Sequence, residues 1–362
     1  MTAPIFEHSF ARIQSAARDV AGRGGWDVLL FSHRQQFFDT AEFQDYRSDR
    51  IKSVQFASAE NFAVEADGRI KSDLTRRFDI GIVCNNNQSE HASLFMMRQL
   101  NLCDLIFVWT WDNHHDEAQT LVGNALGDIV VPAHRFCAAY MKSPATVLGR
   151  HVPLATTQWS RASASRLFEA HRDLERDDAL HGGFMVYSHI NRGGREGFTR
   201  ALQARLPGHA LRLIDYGDKD VYFGLSAEGR WQDWARHKVG LILPLKDDLG
   251  VRFFDSLTTG QVPIVPRWCQ DFDEVIPPAR QQSLPVVRLE QLAVDAGEAA
   301  WREALARFDQ GGRDGAAQRH RFALDNHHLV HRLEAICAQV FPIAARENLK
   351  LKSDRSTGVV LD

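Results

Sequence analysis

Residues Leu243–Pro266 read LPLKDDLGVRFFDSLTTGQVPIVP, and the reading of this stretch decides the fold. An apolar run ends at Pro244, a polar loop carries Lys246, Asp247 and Asp248, and a helical stretch begins near Gly250 and runs through Arg252 and Asp255 to Thr259. Gly260 is placed to end that helix in the left-handed conformation, and Val262–Val265 reads as the next buried strand. A loop and helix N-terminus at a strand end present free backbone N–H groups and the positive end of the helix dipole, which is where phosphates bind. Arg252, just inside the helix, can form a two-pronged pair with a phosphate or carboxylate. The carboxylates of Asp247 and Asp255 are suited to ribose or sugar hydroxyls.

The same alternation extends in both directions. Upstream, Phe6–Ala21 reads as an amphipathic helix, followed by apolar strands at Trp26–Ser32, Asp79–Cys84, Asp104–Thr110 and Asp128–Pro132, with helices at His91–Leu100 and Asp116–Leu126. Beyond Gly182, strands are expected at Gly183–Ser188, Leu211–Asp215, Val239–Leu243, Val262–Val265 and Pro285–Leu289, with a helix at Glu196–Leu206. Strands that are continuous apolar runs between helices indicate parallel sheets covered on both faces. The fold class is therefore α/β: two doubly wound, Rossmann-like domains facing a cleft. The expected boundaries are an N-terminal domain at 1–158, a polar linker at 159–180, a C-terminal domain at 181–314, a closing helix at 315–343 and a flexible tail at 344–362.

Composition narrows the function classes. The 362 residues carry 43 Lys and Arg against 46 Asp and Glu, and the resulting charge of −3 lacks the basic excess of a dedicated nucleic-acid binder. A hydrophobic share of 44% excludes intrinsic disorder, and the longest apolar runs fall short of a membrane span. Met1–Gly25 has no secretory pattern, and five dispersed cysteines without a CxxC pair fit neither zinc nor a disulfide framework. The expectation is a cytoplasmic protein, with peripheral contact at the inner face of a membrane left open by the mildly basic Lys350, Lys352 and Arg355.

The pattern Arg-x-Phe-Asp-x-Leu-x-x-Gly-x-Val-Pro-Ile-Val, here Arg252–Val265, resembles the donor-site motif of GT-B glycosyltransferases, nearest to the exostosin-like and fucosyltransferase-like branches. The likeness covers about 25 residues, and His151–Ala155 resembles the interdomain crossing of such enzymes. It departs at Gln261, where exostosin-like sequences tend to carry Cys, and in having Asp rather than Glu at 247 and 255. The resemblance implies a C-terminal half that binds a nucleotide-activated sugar, with Asn191, Arg192, Arg195, Lys246 and Arg252 on the phosphates and Asp247 and Asp255 on hydroxyls. Ser188–Arg195 (SHINRGGR), after the first strand of that half, adds Ser188 and close backbone approach to a diphosphate. Leaving-group charge in this fold is met by Arg, Lys and helix N-termini, which implies no metal and no cofactor.

On the acceptor side, Trp109–Glu117 (WTWDNHHDE) follows a buried strand. An attacking hydroxyl must lose a proton, so a carboxylate or imidazole is needed, and Asp112 and His114 are the candidate bases. Trp111, His115 and His33 are the candidate acceptor contacts; Asp112 capping a helix beside exposed histidines is the plainer alternative. The implied reaction moves a sugar to a glycan or glycolipid acceptor, in cell-surface polysaccharide or lipopolysaccharide synthesis. Two competing readings are a phosphotransferase that moves a polyol phosphate from a CDP-polyol type of donor in wall-polymer synthesis, and a non-catalytic nucleotide-sugar-binding protein.

Overall fold

The computed structural model describes residues 3–33, 35–84, 88–111, 117–139, 146–186, 194–218, 220–245, 247–269, 271–345, 349–351 and 359–361. The chain divides into two compact units, Met1–Pro153 with Val330–Asp362, and Leu154–Leu329. In chain order the strands are β1 (Trp26–Phe31), β2 (Ile51–Ala57), β3 (Phe62–Val64), β4 (Ile70–Ser72), β5 (Phe78–Cys84), β6 (Cys103–Thr110), β7 (Ile129–Pro132), β8 (Val147–Leu148), β9 (Asp177–Val186), β10 (Ala210–Asp215), β11 (His237–Leu241), β12 (Val262–Pro266), β13 (Val287–Leu289), β14 (Leu349–Leu351) and β15 (Val359–Leu361).

The first unit is built on a sheet ordered β14-β15-β8-β7-β6-β5-β1-β2, parallel except where β14 meets β15. Its central strands are apolar along their whole length because helices cover both faces: Leu105, Ile106, Phe107, Val108 and Trp109 are all at most 1% exposed. The edge strand β2 (IKSVQFA) escapes a reading based on apolar runs, because Ile51, Val54 and Ala57 are buried while Lys52 is exposed. Helix Ala3–Ala21 buries Ile13, Ala17 and Val20 and packs against helix Val340–Ala345, where Gln14 donates to Ile343 O at 3.3 Å. The C-terminal segment thus returns to the first unit, and the expected tail supplies β14 and β15, the latter paired with β8.

The second unit has a wholly parallel sheet ordered β10-β9-β11-β12-β13. Residues 159–180, expected as a linker, contain helix Arg161–His171, which Ser160 caps through Ser163 N at 3.1 Å and which buries Ala164, Leu167 and Phe168, and they also contain the start of β9. The expected single closing helix is three pieces: Val294–His327, Leu329–Cys337 and Val340–Ala345. Gly312 (φ 53°, ψ −146°) breaks the first piece, and His328 leaves helical geometry (φ −76°, ψ 155°) to bridge Thr156. Among the described residues no helix is long and apolar enough to cross a membrane.

Both sheets are doubly wound, and each has one point where the strand order turns. It lies between β1 and β5 in the first unit and between β9 and β11 in the second. In open parallel sheets the crevice outside the carboxyl ends of the strands at such a switch point is where ligands bind.

Candidate functional site

At the switch point of the first unit, His33 follows β1 and Glu90 stands in the first turn of helix Gln88–Gln99, which follows β5. His33 Nδ1 is hydrogen-bonded to Glu90 Oε1, and the His33 backbone N–H donates to the same oxygen at 3.4 Å. The Glu90 side chain is wholly buried, whereas that of His33 is 24% exposed. A buried carboxylate on Nδ1 fixes ring orientation and tautomer and makes Nε2 the nitrogen that exchanges a proton. Burial, with the Glu90 charge nearby, pushes the Cys84 thiol up, so that thiol is inert. Beside His33 a cavity of about 440 Å³, lined also by Gln35, Ser58, Ala59 and Glu60, opens past the ends of β1 and β2.

Trp111 does not offer a free face to a sugar. It is 8% exposed, stacks on Phe38 with centroids 5.6 Å apart, and meets Trp109 edge to face at 5.2 Å. Trp109 is completely buried and donates from Nε1 to Val152 O at 2.8 Å. Both tryptophans continue the apolar run of β6 into the core, a role that composition does not separate from a sugar platform. Asp112, His114 and His115 lie outside the described residues.

At the switch point of the second unit, two arginines meet one carbonyl. Arg195 Nη1 donates to Leu243 O at 3.3 Å and Arg252 Nη2 to the same oxygen at 3.0 Å. Arg252 Nη1 also donates to Gly183 O. These carbonyls belong to β9 and to the residues just past β11, so both guanidiniums are fixed at that crevice. Arg195 opens helix Arg195–Arg205 behind Gly194, whose φ of 79° suits glycine, and its guanidinium lies 4.1 Å from the Phe184 ring centroid. It is 4% exposed, so its charge acts from within the protein.

The loop between β11 and helix Val251–Thr258 is closed by Asp248, which accepts from Leu245 N at 2.9 Å. Asp247 is half-buried, and its carbonyl accepts from Cys269 Sγ at 3.5 Å. Gly250 begins the helix with no side-chain cap, and Phe253 N donates to Gly250 O at 3.0 Å. Ser188, Asn191, Arg192 and Lys246 lie outside the described residues.

Asp255 is placed otherwise than a hydroxyl ligand would be. It is 1% exposed, and its two oxygens accept from Thr156 Oγ1 at 3.2 Å and Gln158 Nε2 at 2.5 Å. Gln158 Oε1 in turn accepts from Arg230 Nε at 2.5 Å. Burial dominates and pushes the Asp255 carboxyl up to about 7, against the lowering effect of its two hydrogen bonds and of Arg230 and Arg252. The carboxylate anchors the 156–158 segment to the helix that carries Arg252, so its part at the site is to position that helix.

Sequence reasoning overlooked Glu90, Thr156, Gln158 and Arg230. An acidic residue in a first helical turn ordinarily faces solvent, and no local pattern marks the one that turns inward beneath a histidine 57 positions away. Among the described residues no three His, Cys, Asp or Glu side chains are grouped to hold a metal ion.

No protein-family model and no curated protein sequence matches the chain. Solved structures do resemble it. A sucrose-phosphate synthase from Thermosynechococcus elongatus is 12% identical with a TM-score of 0.47, over 88% of this chain and 98% of that one. A UDP-forming α,α-trehalose-phosphate synthase from Burkholderia xenovorans is 12% identical with a TM-score of 0.45, over 74% of each chain. The two-sheet architecture described above stands on its own strand orders.

Proposed function

We propose that the chain is a glycosyltransferase of the GT-B kind, which moves a sugar from a nucleotide-activated donor to a hydroxyl of a glycan or glycolipid acceptor. The observation that carries this reading is the pair of unlike switch points: a carboxylate-held imidazole in one sheet and two arginines fixed on a single carbonyl in the other. The second unit binds the donor. Arg195, Arg252 and the N–H groups opening helix Val251–Thr258 face its diphosphate, together with Ser188, Asn191, Arg192 and Lys246 of the neighbouring loops. Asp247 holds a ribose or sugar hydroxyl, and Asp255 keeps the Arg252 helix in place.

The first unit binds the acceptor and carries the base. His33 Nε2 takes the proton of the attacking hydroxyl, and Glu90 stabilises the imidazolium that forms. As the new C–O bond forms at the anomeric carbon, the bond to the diphosphate breaks. The arginines neutralise the charge on the departing nucleoside diphosphate, so the reaction requires no metal. A single displacement of this type inverts the anomeric centre. This gives His33 the role that the sequence assigned to Asp112 or His114, with His115 kept as an acceptor contact. Acceptor supply in cell-surface polysaccharide or lipopolysaccharide synthesis, at the inner face of a membrane, belongs to the same proposal.

Binding of UDP, GDP, CMP, CDP and ADP, followed by thermal shift with and without EDTA, tests the donor half. One nucleotide is expected to stabilise the protein selectively and equally with EDTA present, by about 2.7 kcal/mol at a hundredfold excess over Kd. No response to any of the five, or a response abolished by EDTA, overturns the donor site as described.

A further inference from the structure

The second unit carries another concentration of positive charge, at the opposite ends of its strands. Arg176 immediately precedes β9, Lys238 is the second residue of β11, and Thr259 and Gly260 lead into β12. These positions mark the amino edge of the sheet, across from the switch point. Arg319 is wholly buried there; its Nε donates to Gly260 O at 3.0 Å, while its Nη1 and Nη2 have no hydrogen-bond partner among the described residues. Arg176 donates from Nη2 to Thr259 O at 2.9 Å, and its buried Nη1 likewise has no partner. Among the described residues no carboxylate pairs with either guanidinium.

Both arginines flank one aromatic ring. The guanidinium carbons of Arg176 and Arg319 lie 5.6 and 5.3 Å from the Phe308 centroid, and Lys238 Nζ lies 5.9 Å from it. Burial lowers the pKa of Arg319 to about 9 and that of Arg176 to about 10, so both remain cations at neutral pH. A buried guanidinium and a half-buried one side by side, with no carboxylate on either, are unfavourable unless something else neutralises them.

A cavity of about 480 Å³ opens against this wall, lined by Arg172, Arg176, Lys238, Phe308, Gly312 and Arg313 among others. Asp173 and Glu175 also line the cavity, and three carboxylates around it are engaged at the surface. Asp173 holds Arg313 at 2.8 Å, and Asp178 and Asp309 hold Lys238 at 2.6 and 2.8 Å. The break at Gly312 also starts a new helical run at Arg313, whose first turn borders the same cavity. The charge left without a counter-ion is therefore on the inner wall, at Arg176 and behind it at Arg319.

We propose that this cavity is an oxyanion site that takes a phosphate group, carried either by inorganic phosphate or by a phosphomonoester, with Arg176 contacting the oxygens and Arg319 supplying a second charge from behind. The cavity is in the size range of small-molecule sites and exceeds what a bare phosphate fills. The site shares no residue with the donor crevice, so each can fail alone.

The test is thermal shift and calorimetric titration of the full chain with inorganic phosphate, glucose 6-phosphate and, at matched ionic strength, chloride. Phosphate is expected to raise the melting temperature where chloride does not. Arg176→Met is expected to melt higher than wild type without ligand, because it removes an uncompensated half-buried charge, and to lose at least tenfold in phosphate affinity. Should that variant not fold, Arg313→Ala at the exposed mouth is expected to weaken phosphate several-fold. Tenfold tighter binding of glucose 6-phosphate than of phosphate assigns the site to a phosphomonoester, and equal binding assigns it to free phosphate. Phosphate shifts matched by chloride, or phosphate affinity unchanged in both Arg176→Met and Arg313→Ala, overturn the site.

Discussion

The two switch points are built on the same topology and hold opposite chemistry. In the first unit the crevice between β1 and β5 is furnished with a partly buried imidazole backed by a buried carboxylate. In the second, the crevice between β9 and β11 is furnished with two guanidiniums tied to Leu243 O and Gly183 O. A parallel sheet determines where a ligand sits, and the residues after each strand determine what kind of ligand it is. The proposed reaction assigns proton transfer to the first crevice and the polyanion to the second. The buried carboxylates differ in the same way. Glu90 meets an imidazole, whereas Asp255 meets a hydroxyl and an amide, and burial pushes the Asp255 carboxyl up.

Four measurements break or sharpen this contrast. The largest effect is expected at the base: His33→Ala should lower kcat by about 10²–10⁴ with donor affinity retained, and Glu90→Gln should act in the same direction but less. A His33→Ala enzyme with kcat within about twofold of wild type would remove acid–base work from the first unit. Next, Arg252→Ala should cost roughly 10²–10³ in turnover and weaken nucleoside diphosphate binding, because the proposed donor site uses its charge on the leaving group. Intact circular dichroism with undiminished turnover would return Arg252 to a purely structural role on its two carbonyls.

Asp255 gives a pH signature. Its folded pKa is raised to about 7 from an ordinary value near 4, so the native state binds the extra proton between those limits. That contribution to stability is present below about pH 4 and lost as pH rises to about 7. Denaturant midpoints measured across this window should therefore fall less steeply in Asp255→Asn than in wild type. Equal slopes would mean that the carboxyl is ionised throughout. The smallest expected effects separate two glycines. Gly260 has φ 84°, and a Cβ there would meet Ala316 O at 3.0 Å and Phe168 at 3.1 Å, whereas Gly312, at φ 53°, has nothing within 4 Å. Gly260→Ala should thus destabilise by about 2–3 kcal/mol and Gly312→Ala by about 1 kcal/mol, read from urea midpoints.

Much of this was legible in particular residues. The apolar runs at Asp104–Thr110 and Val262–Val265 are parallel strands because only a sheet covered on both faces tolerates them, and Gly260 is the left-handed helix end that its place after Thr259 indicates. The failures have equally specific causes. The edge strand β2 spaces its buried Ile51, Val54 and Ala57 between polar residues and so shows no apolar run, and the Gly311-Gly312 break lies between two helical patterns that read as separate stretches. Trp111 carries the composition of a sugar platform and the burial of a core residue.

What the sequence determined by itself is local: the order of strands and helices, the glycine turns, and the residues that come to each strand's carboxyl end. These follow from periodicity and backbone sterics, which act over a few residues. Which side chains meet was decided only by the tertiary structure. His33 finds Glu90, Arg195 and Arg252 share Leu243 O, Asp255 is sealed against Thr156 and Gln158, and Arg176 and Arg319 meet no carboxylate among the described residues. The physical reason is that burial and pairing depend on contacts between distant segments, and the energy of a charge depends on its surroundings far more than on its neighbours in the chain.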